Sequence, residues 1–447
     1  MADIHIDFRN SAGRIKPLHG VNNGPVCYGS LVDVTHYYKE SGIPYVRLHD
    51  TNWPHPREVD IYTIFPDFDK EPDNPASYDF SRTDAYIKSV IDTGAEIIYR
   101  LGVSIEHTEK KYYTHPPKDM EKWAKICIGI IKHYNQGWAN GFYYGIKYWE
   151  IWNEPDNPDS HSMWSGTPEQ YFELYRIAAT RIKEFDSSLK VGGFAATMIN
   201  PAFTGRFLEY CQKYHIPLDF FSWHTYAYNP VQIINNAVNV RNLLDQYGFE
   251  STESHLNEWN YTCNDPEIKA VFGEGNQFYT QRLYERMKSE EGASFDAAIL
   301  ILLQDCPVDI VNFYDAAPTS YWSLFNIYGV PQKNYHAFYA FNELYKHPKR
   351  VKAELSSQIY GLCCCAGLNE NGNEAAILIS NFDAECYEHT ISLDFLPEKE
   401  TYLCETYMLD KERDFELVCS EKMEPGIESI RKDIAKYSVM LLKLRSI

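Results

Sequence analysis

The chain has 447 residues, and its 42 Lys and Arg against 62 Asp and Glu give a formal net charge of −20. Nucleic-acid phosphates need a basic partner, so this balance argues against a nucleic-acid binder and against binding to an anionic membrane surface. Aromatic residues make up 15% of the chain. An aromatic surplus without a basic one favours a neutral ligand with apolar faces, such as a sugar, although aromatic residues can also simply fill a core.

The N-terminal segment MADIHIDFRN has no basic region followed by an apolar one, so we expect no signal peptide. No apolar run reaches the length of about 18 residues that a membrane-spanning helix needs. The 11 cysteines are an odd number and have no zinc-binding spacing. We therefore expect small buried thiols in a reducing cytoplasm.

Strand-like runs alternate with helical patterns over most of the chain. Eight runs predict strands, at 18–22, 45–50, 96–101, 144–152, 189–193, 218–226, 254–259 and 309–315. Helical patterns occur at 35–42, 81–94, 118–134, 295–303 and 334–346, and after a capping box at Thr167 and Gln170. This alternation predicts a (β/α)₈ barrel over residues 17–347. A doubly wound open sheet is the alternative, and the lack of a GxGxxG motif after the first strand weakens it.

The pattern changes after about residue 350, where segments become short, alternating and turn-rich. They lie at 359–366, 374–381, 387–393, 400–409 and 437–444, and Asn371-Gly372 is typical of a hairpin turn. We expect an antiparallel β-sandwich made of residues 348–447. The alternating N-terminal segment predicts one more strand, so that residues 1–16 would join this accessory domain and make it discontinuous.

Barrels of this type hold their active site at the C-terminal ends of the strands. Most of the predicted strands end in polar side chains, namely His19, Asn22, Asn23, Arg47, His49, Asp50, Asn153, Glu154, His224, Tyr226, Asn257 and Glu258. Tryptophans near strand ends are candidates for stacking on sugar faces, namely Trp53, Trp259 and Trp322.

Two of the five Asn-Glu dipeptides, at Glu154 and Glu258, end strand-like runs beside tryptophan. Carboxyls on the fourth and seventh strands would face each other across the barrel mouth. A separation of about 5 to 5.5 Å is the arrangement of retaining glycoside hydrolysis, in which one carboxyl protonates the leaving oxygen and the other attacks the anomeric carbon. Tyr226 could donate to the attacking carboxylate, and Asn153 could bind the sugar 2-hydroxyl. The same carboxyls could instead be structural or cap the following helices.

These segments resemble a known family. The motifs that carry the resemblance are WEIWNEP at 149–155, SHLNEWN at 254–260, HGVNNGP at 19–25, VRLHD at 46–50, FSWHTYA at 221–227 and PVDIVNFYDA at 307–316. With the barrel and sandwich layout, they resemble glycoside hydrolase family 39, the family of β-xylosidases and α-L-iduronidases. The resemblance implies that Glu154 is the acid/base, that Glu258 is the nucleophile, and that His49, His224 and Tyr226 line the sugar subsite. The resemblance covers nearly the whole chain, but the segment AAPTSYWSLFN that follows Asp315 has no counterpart in it, which leaves Trp322 and the choice of sugar open.

The sequence thus predicts a retaining, exo-acting glycoside hydrolase that releases terminal sugars from short oligosaccharides, with β-xylosidase as the first specificity. Expected substrate-binding residues are Asn153, His49, Asp50, His224, Tyr226 and Trp322. Arabinosidase, uronidase and iduronidase specificities remain open, since Arg47 and Arg100 could bind a uronate or form barrel ion pairs. A non-catalytic carbohydrate-binding barrel and an endo-acting glycanase are further alternatives.

The expected partners follow from this chemistry. A glycoside or oligosaccharide is the substrate, and neither a cofactor nor a metal is required, because two carboxylates and water suffice. We expect no nucleic-acid or membrane partner. The resemblance also implies a homo-oligomer, because members of the family often associate, and exposed aromatic patches could support such an association.

Overall fold

The computed structural model describes residues 2–27, 30–51, 57–106, 108–157, 162–262, 277–318, 320–356, 359–385, 388–396 and 401–447. Within these residues the chain forms a closed barrel of eight parallel strands and a separate nine-stranded sheet, beside one small hairpin. The predicted (β/α)₈ barrel with an accessory antiparallel domain is therefore confirmed. No helix among the described residues combines the length and apolar character needed to cross a bilayer.

The described strands in chain order are β1 (Ala2–Arg14), β2 (Gly20–Asn22), β3 (Val26–Cys27), β4 (Val32–Asp33), β5 (Tyr45–Leu48), β6 (Glu96–Leu101), β7 (Tyr148–Ile151), β8 (Lys190–Ala196), β9 (Phe220–Ala227), β10 (Glu253–Tyr261), β11 (Ile310–Phe313), β12 (Lys349–Leu355), β13 (Leu362–Leu368), β14 (Glu374–Asn381), β15 (Glu388–Asp394), β16 (Tyr402–Leu409), β17 (Asp414–Met423), β18 (Ser429–Asp433) and β19 (Ser438–Ser446). The described α-helices are α1 (Thr35–Glu40), α2 (Ile61–Ile64), α3 (Ser81–Ile91), α4 (Met120–Gln136), α5 (Pro168–Phe185), α6 (Pro201–Tyr214), α7 (Pro230–Gln246), α8 (Gln277–Met287), α9 (Glu290–Leu302) and α10 (Lys333–Tyr345).

The barrel strands follow one another around the ring in chain order, from β2 through β5 to β11. The ring closes where Asn312 and Phe313 of β11 pair with Gly20 and Val21 of β2. Each of the eight predicted strands overlaps one of these. Because all neighbouring pairs are parallel, every strand ends at the same mouth, and the residues that follow the strands converge there.

Several of the outer helices, including α4 to α7, begin where a polar side chain accepts a hydrogen bond from the first helical turn. Thr167 accepts from the backbone of Gln170 at 3.3 Å, and the two form the capping box that the sequence predicts for α5. Ser81 and Asp84 have capping-box spacing in the sequence, which predicts a second box, but the structure does not form it. Ser81 is already the first residue of α3, and Asp79 accepts from its backbone and its hydroxyl instead.

The accessory domain is one curled sheet with the strand order β17-β16-β19-β14-β13-β12-β1-β15-β18. Its pairs are antiparallel except for β1 with β15, which run parallel. The N-terminal strand therefore lies inside this sheet, as the alternation of the first residues predicts. This pairing supports our proposal that residues 1–16 and 348–447 form one discontinuous domain around a barrel of residues 17–347.

The two faces of the accessory sheet pack against different partners. In β14, Ile377 and Ile379 lie in a core enclosed by the curled sheet, whereas Leu378 lies in the core of the barrel. Alternate residues of a strand point to opposite faces, so this division follows from the strand period. Ser380 also donates to the carbonyl of Ser294 on α9 at 2.7 Å, which fixes the sheet against the barrel.

Candidate active site

The ends of β7 and β10 bring the two predicted carboxyls together. One oxygen of Glu154, one oxygen of Glu258 and a ring nitrogen of His224 all lie within 4.8 Å of one another. Glu154 has a φ of +45°, in the left-handed region that costs a non-glycine residue energy. Its backbone N–H lies 3.2 and 3.1 Å from the carbonyls of Phe194 and Ala195, so β8 holds this strained turn.

Glu258 is almost enclosed by groups that favour its ionised form. Tyr226 donates its hydroxyl hydrogen to Oε1 at 2.7 Å, and Nη1 of Arg47 lies 3.2 Å from Oε2. Burial raises the pKa of Glu258, and the nearby Glu154 raises it further, while His224, Arg47 and Tyr226 oppose the rise. Burial also raises the pKa of Tyr226 far above its ordinary value, so its hydroxyl stays protonated and donates.

Glu154 is held by two side chains of different character. Oε1 lies 2.7 Å from Nδ1 of His224, and Oε2 accepts from the side-chain amide of Asn157 at 3.2 Å. Burial lowers the pKa of His224, so the ring is neutral and carries a single N–H. Its other nitrogen lies 3.6 Å from Oε2 of Glu258. The imidazole therefore lies between the two carboxyls.

Arg47 connects Glu258 to Asn153, which directly precedes Glu154. Its side chain is fully buried, and Nε lies 2.7 Å from Oε2 of Glu150. Nη1 donates to Asn22 at 3.1 Å, and Nη2 donates to Oδ1 of Asn153 at 2.6 Å. Arg100 is likewise buried, 2.7 Å from Asp60. Of the two roles that the sequence leaves open for Arg47 and Arg100, binding a uronate or forming ion pairs inside the barrel, the structure shows the ion pairs.

His49 and Asp50 lie side by side at the end of β5. Nδ1 of His49 accepts from Arg100 at 3.2 Å, and Nε2 lies 3.4 Å from Oδ2 of Asp50. The other oxygen of Asp50 accepts from the backbone of Ile105 at 2.7 Å, which ties down the loop after β6. Burial raises the pKa of Asp50 to about 6. Both predicted residues therefore lie at the mouth, and Asp50 also supports a neighbouring loop.

The three tryptophans predicted to stack on a sugar lie in different places. The ring of Trp322 lies 5.4 Å from that of Tyr226, and its carbonyl accepts from Lys288 at 2.8 Å. Trp259 has no exposed surface and packs edge-on against Phe313 at 5.2 Å. The prediction that Trp259 stacks on a sugar is wrong, because its side chain belongs to the core. Trp53 lies outside the described residues.

Glu150 is a residue of the site that the sequence patterns do not predict. It is fully buried on β7 and accepts from Arg47 and from the side-chain amide of Asn257. A glutamate inside an apolar run is itself unusual, because buried glutamates are rare unless paired.

The arrangement of the site indicates proton transfer and nucleophilic attack. Glu154, His224 and Glu258 could each offer one ligand atom to a metal ion. The guanidinium of Arg47 contacts Glu258, however, and would repel a second cation at that carboxylate. The residues present therefore fit a pair of carboxyls that act directly on a substrate, one as an acid and one as a base or nucleophile.

A parallel eight-stranded barrel with paired glutamates near the ends of its fourth and seventh strands is the arrangement expected of a glycoside hydrolase. Comparison with family models agrees, since residues 27–365 match glycosyl hydrolases family 39. The chain belongs to this family, and it acts on carbohydrate substrates.

Individual relatives extend the comparison. A β-xylosidase from Caldicellulosiruptor saccharolyticus is 26% identical over 367 residues, which span 76% of this chain and 70% of that protein. The solved structure of a glucosidase from Croceicoccus marinus superimposes with a TM-score of 0.83 at 23% identity, over 100% of this chain and 99% of that one. A monomeric β-xylosidase from Caulobacter crescentus gives a TM-score of 0.72 at 17% identity, with the same coverage. These two structures share the fold of this chain.

Proposed function

We propose that the protein is a retaining, exo-acting glycosidase that releases terminal β-xylosyl residues from short oligosaccharides. The observation that carries the retaining mechanism is the approach of Glu154 and Glu258, whose oxygens come within 4.8 Å. Retaining enzymes hold their carboxyls about 5 to 5.5 Å apart, whereas inverting enzymes need about 6.5 to 9.5 Å to admit water between carboxyl and sugar. The similarity to a β-xylosidase supports the choice of sugar.

In the first step, the Glu258 carboxylate attacks the anomeric carbon while Glu154 gives its proton to the glycosidic oxygen. The bond between that carbon and the leaving oxygen breaks, and an ester between the sugar and Glu258 forms. Tyr226 and Arg47 hold the attacking carboxylate in place. Because donors surround Glu258 more closely than Glu154, Glu258 is the group that is ionised at the start.

In the second step, ionised Glu154 takes a proton from water, and the resulting hydroxide attacks the anomeric carbon. The ester bond breaks, Glu258 leaves as a carboxylate, and two inversions give net retention. A neutral His224 fits the resting state, because its Nδ1 can accept the proton of Glu154 while its Nε2–H faces Glu258. This tautomer favours one protonated and one ionised carboxyl.

The remaining residues are proposed to hold the sugar. Because Arg47 occupies Oδ1 of Asn153, the amide nitrogen of Asn153 is left to donate to the 2-hydroxyl. Trp322 offers an aromatic face beside Tyr226, and His49 and Asp50 offer polar atoms at the mouth. A uronide is the less suitable substrate, because both Arg47 and Arg100 are already paired with carboxylates.

The activity is tested with aryl glycosides of β-xylose, α-arabinopyranose, β-glucose, β-glucuronic acid and α-iduronic acid. We expect the β-xyloside to be hydrolysed with the highest kcat/KM. A uronide that is hydrolysed faster would contradict the proposed sugar. Product sizes from a xylo-oligosaccharide distinguish exo from endo action, since an exo enzyme releases only the monosaccharide at early times.

The roles of the carboxyls are tested by replacement and azide rescue. Glu258→Ala is expected to lower kcat by about 10⁴-fold or more, and azide in place of the carboxylate would give an α-xylosyl azide. Glu154→Ala with azide would give the β-xylosyl azide, since azide then attacks the ester intermediate. Glu184→Ala, on the exposed face of α5, is the control. Normal turnover by Glu258→Ala would exclude the mechanism, and sugar binding without hydrolysis of any glycoside would favour a binding barrel.

A further inference from the structure

A third glutamate is buried below the two carboxyls that carry the proposed chemistry. Glu150 lies on β7, four residues before Glu154, and its side chain has no exposed surface. The steps proposed above do not use it. Enclosing a carboxylate in a protein interior is unfavourable unless other groups compensate its charge, so its contacts indicate what it does.

Both oxygens of Glu150 are engaged by residues that flank the nucleophile. Oε2 accepts from Nε of Arg47 at 2.7 Å, and Oε1 accepts from the side-chain amide of Asn257, which directly precedes Glu258. The same guanidinium reaches Glu258 at 3.2 Å. One buried cation is thus shared between two carboxylates, and the shorter contact goes to Glu150.

This sharing affects the reactivity of the nucleophile. An opposite charge within about 4 to 6 Å lowers the pKa of a carboxyl by roughly 1 to 3 units, because it stabilises the ionised form. A carboxylate that alone neutralised Arg47 would be stabilised in its resting state and would attack less readily. A second carboxylate on the same guanidinium weakens that stabilisation.

We propose that Glu150 is a positioning residue that aims Arg47 and takes up part of its charge, so that Glu258 remains a reactive carboxylate. The inference rests on the proposed function, because it assigns Glu150 a part in preparing the nucleophile of that reaction. Glu150 acts only through Arg47 and Asn257.

The variant Glu150→Gln isolates the charge from the geometry. Among the described residues, Oδ1 of Asn257 accepts no hydrogen bond, so the Asn257 amide can rotate and accept from the new glutamine. Both contacts are then kept while the negative charge is lost. The substrate is 2,4-dinitrophenyl β-xyloside, whose leaving group needs no protonation, so the acidic limb of kcat/KM reports the ionisation of Glu258.

We expect Glu150→Gln to move this acidic limb to lower pH by about one unit, because Arg47 then acts on Glu258 alone. At the optimum, kcat is expected to fall about tenfold or more, because the nucleophile is more strongly stabilised before attack. A folded Glu150→Gln protein with the acidic limb of the wild type overturns the proposal.

Two further variants exclude a merely structural role. Glu343→Gln makes the same change at another buried glutamate, whose Oε2 lies 2.6 Å from Nζ of Lys443 where α10 meets the accessory sheet. It is expected to lower the Tm and leave the acidic limb in place. If Glu150→Gln does not fold, Glu150→Asp is used instead, because it keeps the negative charge. The acidic limb of kcat/KM of this variant is expected within about 0.3 pH units of the wild-type limb, and its kcat is expected to be lower. If the acidic limb of Glu150→Asp instead moves to lower pH by about one unit, as expected for loss of the charge, the proposal is overturned.

The failure of this inference differs from a failure of the proposed function. A wild-type protein that hydrolyses no glycoside of the panel overturns both. An active wild type, with a Glu258→Ala variant that depends on azide, together with an unmoved limb in Glu150→Gln, overturns only the role of Glu150.

Discussion

Tyr226 donates its hydroxyl hydrogen to Oε1 of Glu258 at 2.7 Å, from the strand next to the one that carries the carboxylate. A hydrogen bond to an ionised carboxyl lowers its pKa, so Tyr226→Phe should raise the pKa of Glu258. The acidic limb of kcat/KM should then move to higher pH, and kcat should fall about 10²-fold because the attacking carboxylate loses one of the two groups that hold it in place. Dinitrophenyl β-xyloside kinetics across pH give this measurement. Tyr175→Phe, which removes a hydroxyl bonded to the carbonyl of Pro217, is the control.

The contact between His224 and Glu154 leads to a prediction for the other limb. His224→Phe removes the group that accepts the proton of Glu154, so the neutral acid loses a stabilising partner and its pKa falls. We expect the basic limb to move to lower pH and kcat to fall about 10²-fold for poor leaving groups. The loss should be smaller for dinitrophenyl β-xyloside, which needs no acid. Equal losses for both leaving groups would contradict this role.

Trp322 and the core tryptophans should differ in kinetics. Trp322→Ala removes the aromatic face beside Tyr226, and we expect KM to rise about tenfold with a smaller change in kcat. Trp123→Phe, in the buried face of α4, should lower the Tm and leave KM unchanged. Michaelis kinetics and thermal unfolding of both variants make the comparison. An unchanged KM in Trp322→Ala would remove this residue from the sugar site.

Glu58 predicts a pH dependence of stability that is separate from catalysis. Burial raises its pKa to about 8, so the folded chain keeps this proton where the unfolded chain has already lost it. The free energy of unfolding therefore falls as the pH rises from about 4.5 to about 8.

Glu58→Gln removes this effect, so the variant should be more stable than the wild type by up to about 5 kcal/mol at about pH 9 and nearly equal to it at about pH 4.5. Urea unfolding at the two pH values tests this. An equal difference at both values would mean that Glu58 does not titrate as described.

The barrel could be predicted because buried parallel strands read as continuous apolar runs that end in polar residues. The same feature located Glu154 and Glu258, each of which ends such a run. Trp259 could have been assigned correctly from strand period alone, since neighbouring residues of a strand point to opposite sides. Its position beside Glu258 therefore indicates the core.

The ion pair between Arg47 and Glu150 could not be read from the sequence in the same way. The two residues lie 103 positions apart, each inside its own apolar run. Local patterns show that each charge is unusual, but only the closed barrel shows that they neutralise each other. The single curled accessory sheet also depends on long-range pairing, because alternation predicts strands and not their partners.

The position of β1 inside the accessory sheet also bears on how the chain folds. Among the described strands, β15 and β18 join the rest of that sheet only through β1. His5 and Ser392, which face each other across this junction, lie 387 positions apart. β1 therefore pairs only once β12 and β15, more than 300 residues further along the chain, have been synthesised, and such non-local closure slows folding. Once β1 has paired with β12, the sheet holds the two ends of the barrel segment together and so opposes their fraying.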